Sequence, residues 1–164
     1  MSFFADLTPY TYRPLGHRPG TINVGWLCRW QAFSKWRPDA IFLRRLWPFC
    51  SIGVWQTRGF HHCPFCLLSI PLLGRPVTEY FMGEAIRLGS AEVRVFAPDG
   101  RTYAAPDLVF HYIRRHHYLP PREFIDAVMN GAPPSTPQYV TTLSHHISPE
   151  PLPARLQTTV GHHG

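Results

Sequence analysis

The chain reads as an α+β domain: a small antiparallel sheet with about three helices, stabilised by zinc. Three observations predict this. Residues 91–104 form two short β-like runs around Pro98-Asp99-Gly100, a hairpin signature. Two apolar stripes at helical spacing follow, over 106–117 and 122–130, separated by Pro120-Pro121. Four soft donors fall in two clusters, Cys63-x2-Cys66 and His111-x4-His116, an inventory suited to one tetrahedral ion.

Taken in order, residues 1–21 are rich in proline, glycine and aromatics and read as an ordered but irregular arm or a short strand that packs late. Thr21 to Leu27 alternates apolar and polar and predicts a strand. Residues 28–38 read as a loop. Asp39 is an N-cap candidate for a helix over 40–47, with Ile41, Phe42, Leu43 and Leu46 as its apolar stripe and Pro48 as its stop. Ser51 to Gln56 predicts a second strand that delivers the chain into the Gly59 turn. Residues 67–77 carry two prolines and a glycine and read as a loop. A strand is expected over Thr78 to Met82.

In the 91–104 hairpin, Pro presets φ, Asp bonds its own backbone and Gly takes the left-handed position. Pro106 and Asp107 start a helix running to about His117, with Leu108, Val109, Tyr112 and Ile113 inward. A shorter helix, Arg122 to Asn130, turns Phe124, Ile125 and Val128 inward and stops at Gly131. Residues 1–131 are thus expected to form one zinc-stabilised domain. From 132 to 164 six of the 18 prolines occur with Ser, Thr and His, which predicts a mostly disordered tail unable to offset its ordering entropy. His145, His146, His162 and His163 fall in that tail and read as solvated. No internal repeat is evident.

A length of 164 residues with 45% apolar composition fits one globular domain with a useful core. The formal charge is +6, which mildly favours acidic partners. The basic residues form no strong cluster, only a thin excess over 29–58, so a protein partner is favoured over nucleic acid. The five tryptophans, crowded between 26 and 55, read as one aromatic cluster of the core, an exposed subset of which would make a protein-binding patch. The N-terminus has neither a basic nor an apolar targeting region. No run reaches the roughly 18 apolar residues of a membrane helix. The expectation is a cytoplasmic protein whose thiols stay reduced, with Cys28 and Cys50 as small buried apolar groups.

Zinc takes thiolate and imidazole ligands, four in a structural site. Cys63 and Cys66 can turn round one ion from a tight knuckle. His111 and His116 lie five positions apart, about 140° round a regular helix, and so share a face only if the last turn loosens. His117 is an alternative helical ligand and His61 an alternative on the knuckle side. A structural zinc would contribute roughly 10–16 kcal/mol of apparent binding energy, large beside the 5–15 kcal/mol net stability of a typical fold.

Two other chemistries compete. A zinc hydrolase keeps an open coordination position and a carboxylate base, but the nearest acids in sequence are Asp107 and Glu123, and neither His-Glu-x-x-His nor the deaminase His-x-Glu pattern is present. A thiol redox module would use Cys63 and Cys66, since Cys-Pro-Phe-Cys looks like the glutaredoxin tetrapeptide. That chemistry needs a following helix N-terminus to lower the thiol pKa, and Pro71 and Gly74 oppose one. The plain alternative is two buried thiols and a hydrogen-bonded core histidine.

Several blocks together resemble a family of small bacterial proteins built on a domain of unknown function. They are Phe4-Ala5-Asp6-Leu7-Thr8-Pro9-Tyr10, Asn23-Val24-Gly25-Trp26-Leu27, and Thr57-Arg58-Gly59-Phe60-His61-x-Cys63-x-x-Cys66. To these are added Gly89 to Val95, Tyr103-Ala104-Ala105-Pro106, and His111-Tyr112-x3-His116-x-Tyr118-x-Pro120-Pro121-x-Glu123-Phe124. The resemblance spans about residues 3–130. It implies that positions 61, 63, 66, 111 and 116 hold their residue type while 62 and 117 vary, which selects His116 over His117. It implies a metal site and bacterial origin, and no activity. The functional expectation is a non-enzymatic zinc-binding interaction or accessory protein, of which an immunity-type partner is one form.

Overall fold

A computed structural model describes residues 3–12, 19–66 and 76–146. The fold is α+β, with β1 (Thr21–Asn23), α1 (Ala40–Ile52), β2 (Val77–Phe81), β3 (Glu84–Leu88), β4 (Glu92–Phe96), β5 (Thr102–Pro106), α2 (Val109–His116), α3 (Arg122–Asn130) and α4 (Pro137–His146). Of the loop expected over 67–77, residues 67–75 lie outside the described residues, as do the histidines at 162 and 163, and Val77 already belongs to β2.

Two sheets form. The hairpin β4–β5 is antiparallel, and β1 adds to β5 in parallel, in the order β1-β5-β4. The main sheet is therefore mixed. The parallel pairing joins elements about 80 residues apart, which sequence patterning does not encode. The second sheet is the antiparallel hairpin β2–β3. Its second strand, 84–88, is absent from the sequence expectation. The missed signal is the two-residue Met82-Gly83 turn, with φ of 50° and 80°, the left-handed pair that closes a tight hairpin.

Every residue of β4 and β5 is buried. Helices α1, α3 and α4 pack against β4. The side chains of Glu92 and Arg94 are covered by the N-terminal arm: Tyr10 donates to Glu92 at 2.7 Å, and the Arg94 guanidinium lies 4.8 and 4.7 Å from the Tyr10 and Trp55 ring centres. A buried ion pair between Glu92 and Arg94 at 2.9 Å completes the group, so both charges are paired where burial would otherwise cost several kcal/mol.

Asp39 caps α1 as expected, accepting from the Phe42 N–H at 2.7 Å. The helix does not stop at Pro48 but runs to Ile52. Proline inside a helix costs about 3 kcal/mol; Leu46, Trp47, Phe49 and Cys50 are all buried on the same helix, and apolar burial of about 1.5–3 kcal/mol per large side chain offsets it. Residues 51–56 accordingly make no strand. Only Val54 bridges to Glu92. Ile41, expected inward, is 64% exposed.

Pro106 closes β5 instead of opening a helix, and α2 begins at Val109. Helix α3 has the expected bounds. Gly131 ends it in extended backbone, with no left-handed cap. Glycine is needed there for space, because a Cβ would lie 2.3 Å from the Phe96 carbonyl oxygen. Residues 137–146, expected to lack structure, form α4. Tyr139, Val140, Leu143 and His146 are buried in it, and the Tyr139 ring lies against Phe49 and Phe96. His146 is thus not solvated; its ring lies 4.8 Å from that of Phe96. Trp26, Trp47 and Trp55 join the core, whereas Trp30 is 88% exposed.

Candidate metal centre

The knuckle reaches its place through glycine. Gly89 adopts φ +106°, and the His61 N–H donates to its carbonyl at 2.7 Å. A Cβ on Gly89 would fall 2.2 Å from the His61 oxygen, so only glycine lets the two chains approach. Asp107, just before α2, holds the same turn from the other side. Its carboxylate accepts from the N–H groups of Gly89 at 2.7 Å, Ser90 at 3.3 Å and Ala91 at 3.1 Å. Burial pushes the Asp107 carboxyl up to about 7 against the pull of those donors. The residue that leads into α2 therefore also fixes the 89–91 turn on which the knuckle segment rests.

Cys63 and Cys66 follow in a tight turn, with the Phe65 N–H donating to Cys63 Sγ at 3.4 Å. Helix α2 supplies the other two donors. It ends at His116 because His117 turns left-handed, φ 59° and ψ 27°, with its N–H on the Tyr112 carbonyl. Tyr118 N–H returns to the same carbonyl at 3.1 Å, a closure that satisfies the helix end without glycine. With the helix finished there, the His116 ring swings to meet that of His111, their centres 5.0 Å apart. The expected loosening of the last turn is not seen: α2 stays helical through His116, and the two rings meet at its end.

One donor atom from each of Cys63, Cys66, His111 and His116 lies within 4.8 Å of all the others. Cys63 Sγ to His116 Nε2, Cys66 Sγ to His111 Nε2, Cys66 Sγ to His116 Nε2, and His111 Nε2 to His116 Nε2 each measure 3.2 Å. This group can hold a metal ion. The substitutes His61 and His117 are not among these four donors, and His117 is exposed at the helix end.

Burial raises the Cys63 thiol to about 12 and lowers the His116 imidazole to about 4. Phe65 shields the centre, its ring 5.3 Å from that of His116 and 5.7 Å from that of Tyr112. Phe33 packs on Phe65 in turn at 5.2 Å.

The acid beside the cluster is neither Asp107 nor Glu123 but Glu79 of β2. It is 1% exposed. Oε1 lies 2.7 Å from His111 Nδ1 and accepts from Arg115 Nε at 3.2 Å, and Oε2 accepts from Arg114 at 2.6 Å. Burial would raise its pKa, but His111 and Arg115 outweigh that and hold it below the usual carboxylate range. Sequence distance concealed Glu79, which precedes His111 by about 30 residues on a different element.

Among the described residues, no helix is long and apolar enough to cross a membrane. A family model described as a domain of unknown function (DUF7919) matches residues 2–129. Among curated proteins and solved structures, none matches the chain.

Proposed function

The chain belongs to the DUF7919 domain-of-unknown-function family; from that premise and the four-donor cluster, we propose that it is a non-enzymatic, zinc-stabilised interaction or accessory protein of the cytoplasm. The donor set carries this reading. Zinc–sulfur bonds of about 2.3 Å and zinc–nitrogen bonds of about 2.0–2.1 Å in a tetrahedron give S···N and N···N edges of about 3.3–3.6 Å. The 3.2 Å edges lie within a few tenths of an ångström of those values. Two sulfurs and two imidazole nitrogens are the ligand types zinc favours in structural sites. Cys63, Cys66, His111 and His116 would hold the ion, tying the knuckle to α2.

A hydrolase reading lacks its base. Glu79 is buried and engaged by His111, Arg114 and Arg115, and four protein donors would fill the sphere of a tetrahedral zinc. A redox reading needs a depressed thiol pKa, whereas burial raises that of Cys63. Free thiols at all four cysteines suit a reducing compartment. An interaction role would use large apolar side chains left in solvent, of which Trp30, Tyr80, Ile41 and Met82 are the most exposed. An immunity-type partner in a bacterial system is one form of such a role.

X-ray absorption at the zinc edge on untagged protein tests the proposal. Two sulfur and two nitrogen ligands at one ion per chain are expected. Three protein ligands plus water would move the reading to a hydrolase, and absence of a stoichiometric metal would end it.

A further inference from the structure

Glu79 does more than neutralise two arginines. It sits on the β2–β3 hairpin, which forms no strand pairing with the main sheet. Three α2 side chains meet its carboxylate: His111, Arg114 and Arg115. Arg114 also donates to the Tyr80 carbonyl at 2.9 Å, and Phe81 packs on Phe110 at 5.3 Å. The hairpin is thereby fastened to the helix that carries both histidines.

On His111 the two ring nitrogens face different groups. Nδ1 is 2.7 Å from a buried carboxylate oxygen, and Nε2 is 3.2 Å from Cys66 Sγ and from His116 Nε2. A carboxylate already receiving arginine N–H groups accepts and does not donate. The ring proton therefore belongs on Nδ1, which leaves the Nε2 lone pair facing the Cys66 sulfur.

We infer that Glu79 is the outer-shell positioning residue of the metal centre: it fixes the Nδ1-protonated tautomer and ring direction of His111, and makes the β2–β3 hairpin part of the site. The inference rests on the zinc reading above for its effect on affinity, but not for its effect on the tautomer. Arg114 and Arg115 keep both carboxylate oxygens oriented. Losing such a partner typically weakens metal binding 10–100-fold.

Two measurements test it. Nitrogen-15 NMR of the histidine rings at pH 8, in metal-free wild-type protein whose dispersed amide spectrum shows it folded, is expected to show His111 protonated on Nδ1; protonation on Nε2 in that folded state would overturn the inference whether or not the variants fold. Zinc competition with a chromophoric chelator is then compared for wild type, Glu79→Met and Glu79→Gln. Met matches the length of the side chain and removes the acceptor, and a 10–100-fold loss of affinity is expected. Gln retains an acceptor oxygen and should lose less. Affinity of Glu79→Met within threefold of wild type would refute the role. Failure of the wild type itself to bind zinc would remove the metal reading while leaving the tautomer measurement to decide what Glu79 does.

Discussion

The His61 N–H donates to the Gly89 carbonyl at 2.7 Å, and a Cβ on Gly89 would lie 2.2 Å from the His61 oxygen. The approach of the knuckle to the sheet therefore depends on one missing methyl group. Gly89→Ala should destabilise the protein by about 2 kcal/mol or more, combining a φ of +106° with a backbone collision. Gly100→Ala, at φ +87° with open space, should cost about 1 kcal/mol. Urea unfolding of both variants checks the difference. Equal losses would show that the contact with His61 is not tight in solution.

Cys63→Ser and His111→Ala should lose metal and thermal stability together. Each removes one of four donors within 4.8 Å. Their melting temperatures should fall to that of wild type treated with a strong chelator, because the lost stabilisation is the binding energy of the ion. His145→Ala, at an exposed position of α4, should change neither quantity. A comparable loss in that variant would assign the ligands elsewhere.

Metal uptake should release protons. In the metal-free protein Cys63 titrates near 12, so its thiol is protonated at neutral pH and must give up that proton to coordinate. His116, near 4, is already neutral and gives up none. Affinity should therefore rise with pH across the neutral range, about tenfold per unit for each proton released. Calorimetry in buffers of different ionisation enthalpy counts those protons. Fewer than one per ion would contradict thiolate coordination by Cys63.

The folded unit should extend through α4. Tyr139 is 2% exposed, and its hydroxyl donates to the Arg94 carbonyl of β4 at 2.9 Å. Tyr139→Ala should cost about 3 kcal/mol or more and Tyr139→Phe about 1 kcal/mol, with both measured by chemical denaturation. A stability loss below about 0.5 kcal/mol for the alanine variant would place this helix outside the cooperative fold.

Local chemistry was legible where it is self-contained. The residue types and spacings of Cys63, Cys66, His111 and His116, the Pro98-Asp99-Gly100 turn, the Asp39 cap and the bounds of α3 all follow from interactions within a few residues. These signals establish a knuckle, a hairpin and one helix bearing histidines. Tertiary structure alone decided the rest. His111 and His116, five residues apart on α2, meet only where the folded chain brings the knuckle to the end of that helix. Glu79 reaches Nδ1 of His111 from a hairpin whose second strand has only the Met82-Gly83 turn as its mark. Pro48 stays inside α1, and α4 forms in a proline-rich stretch, because burial against β4 and its neighbours outweighs local propensity. Propensity acts within a few residues at tenths of a kcal/mol to a few kcal/mol, whereas burying several large side chains against distant elements contributes more, and that sum is set by the fold as a whole.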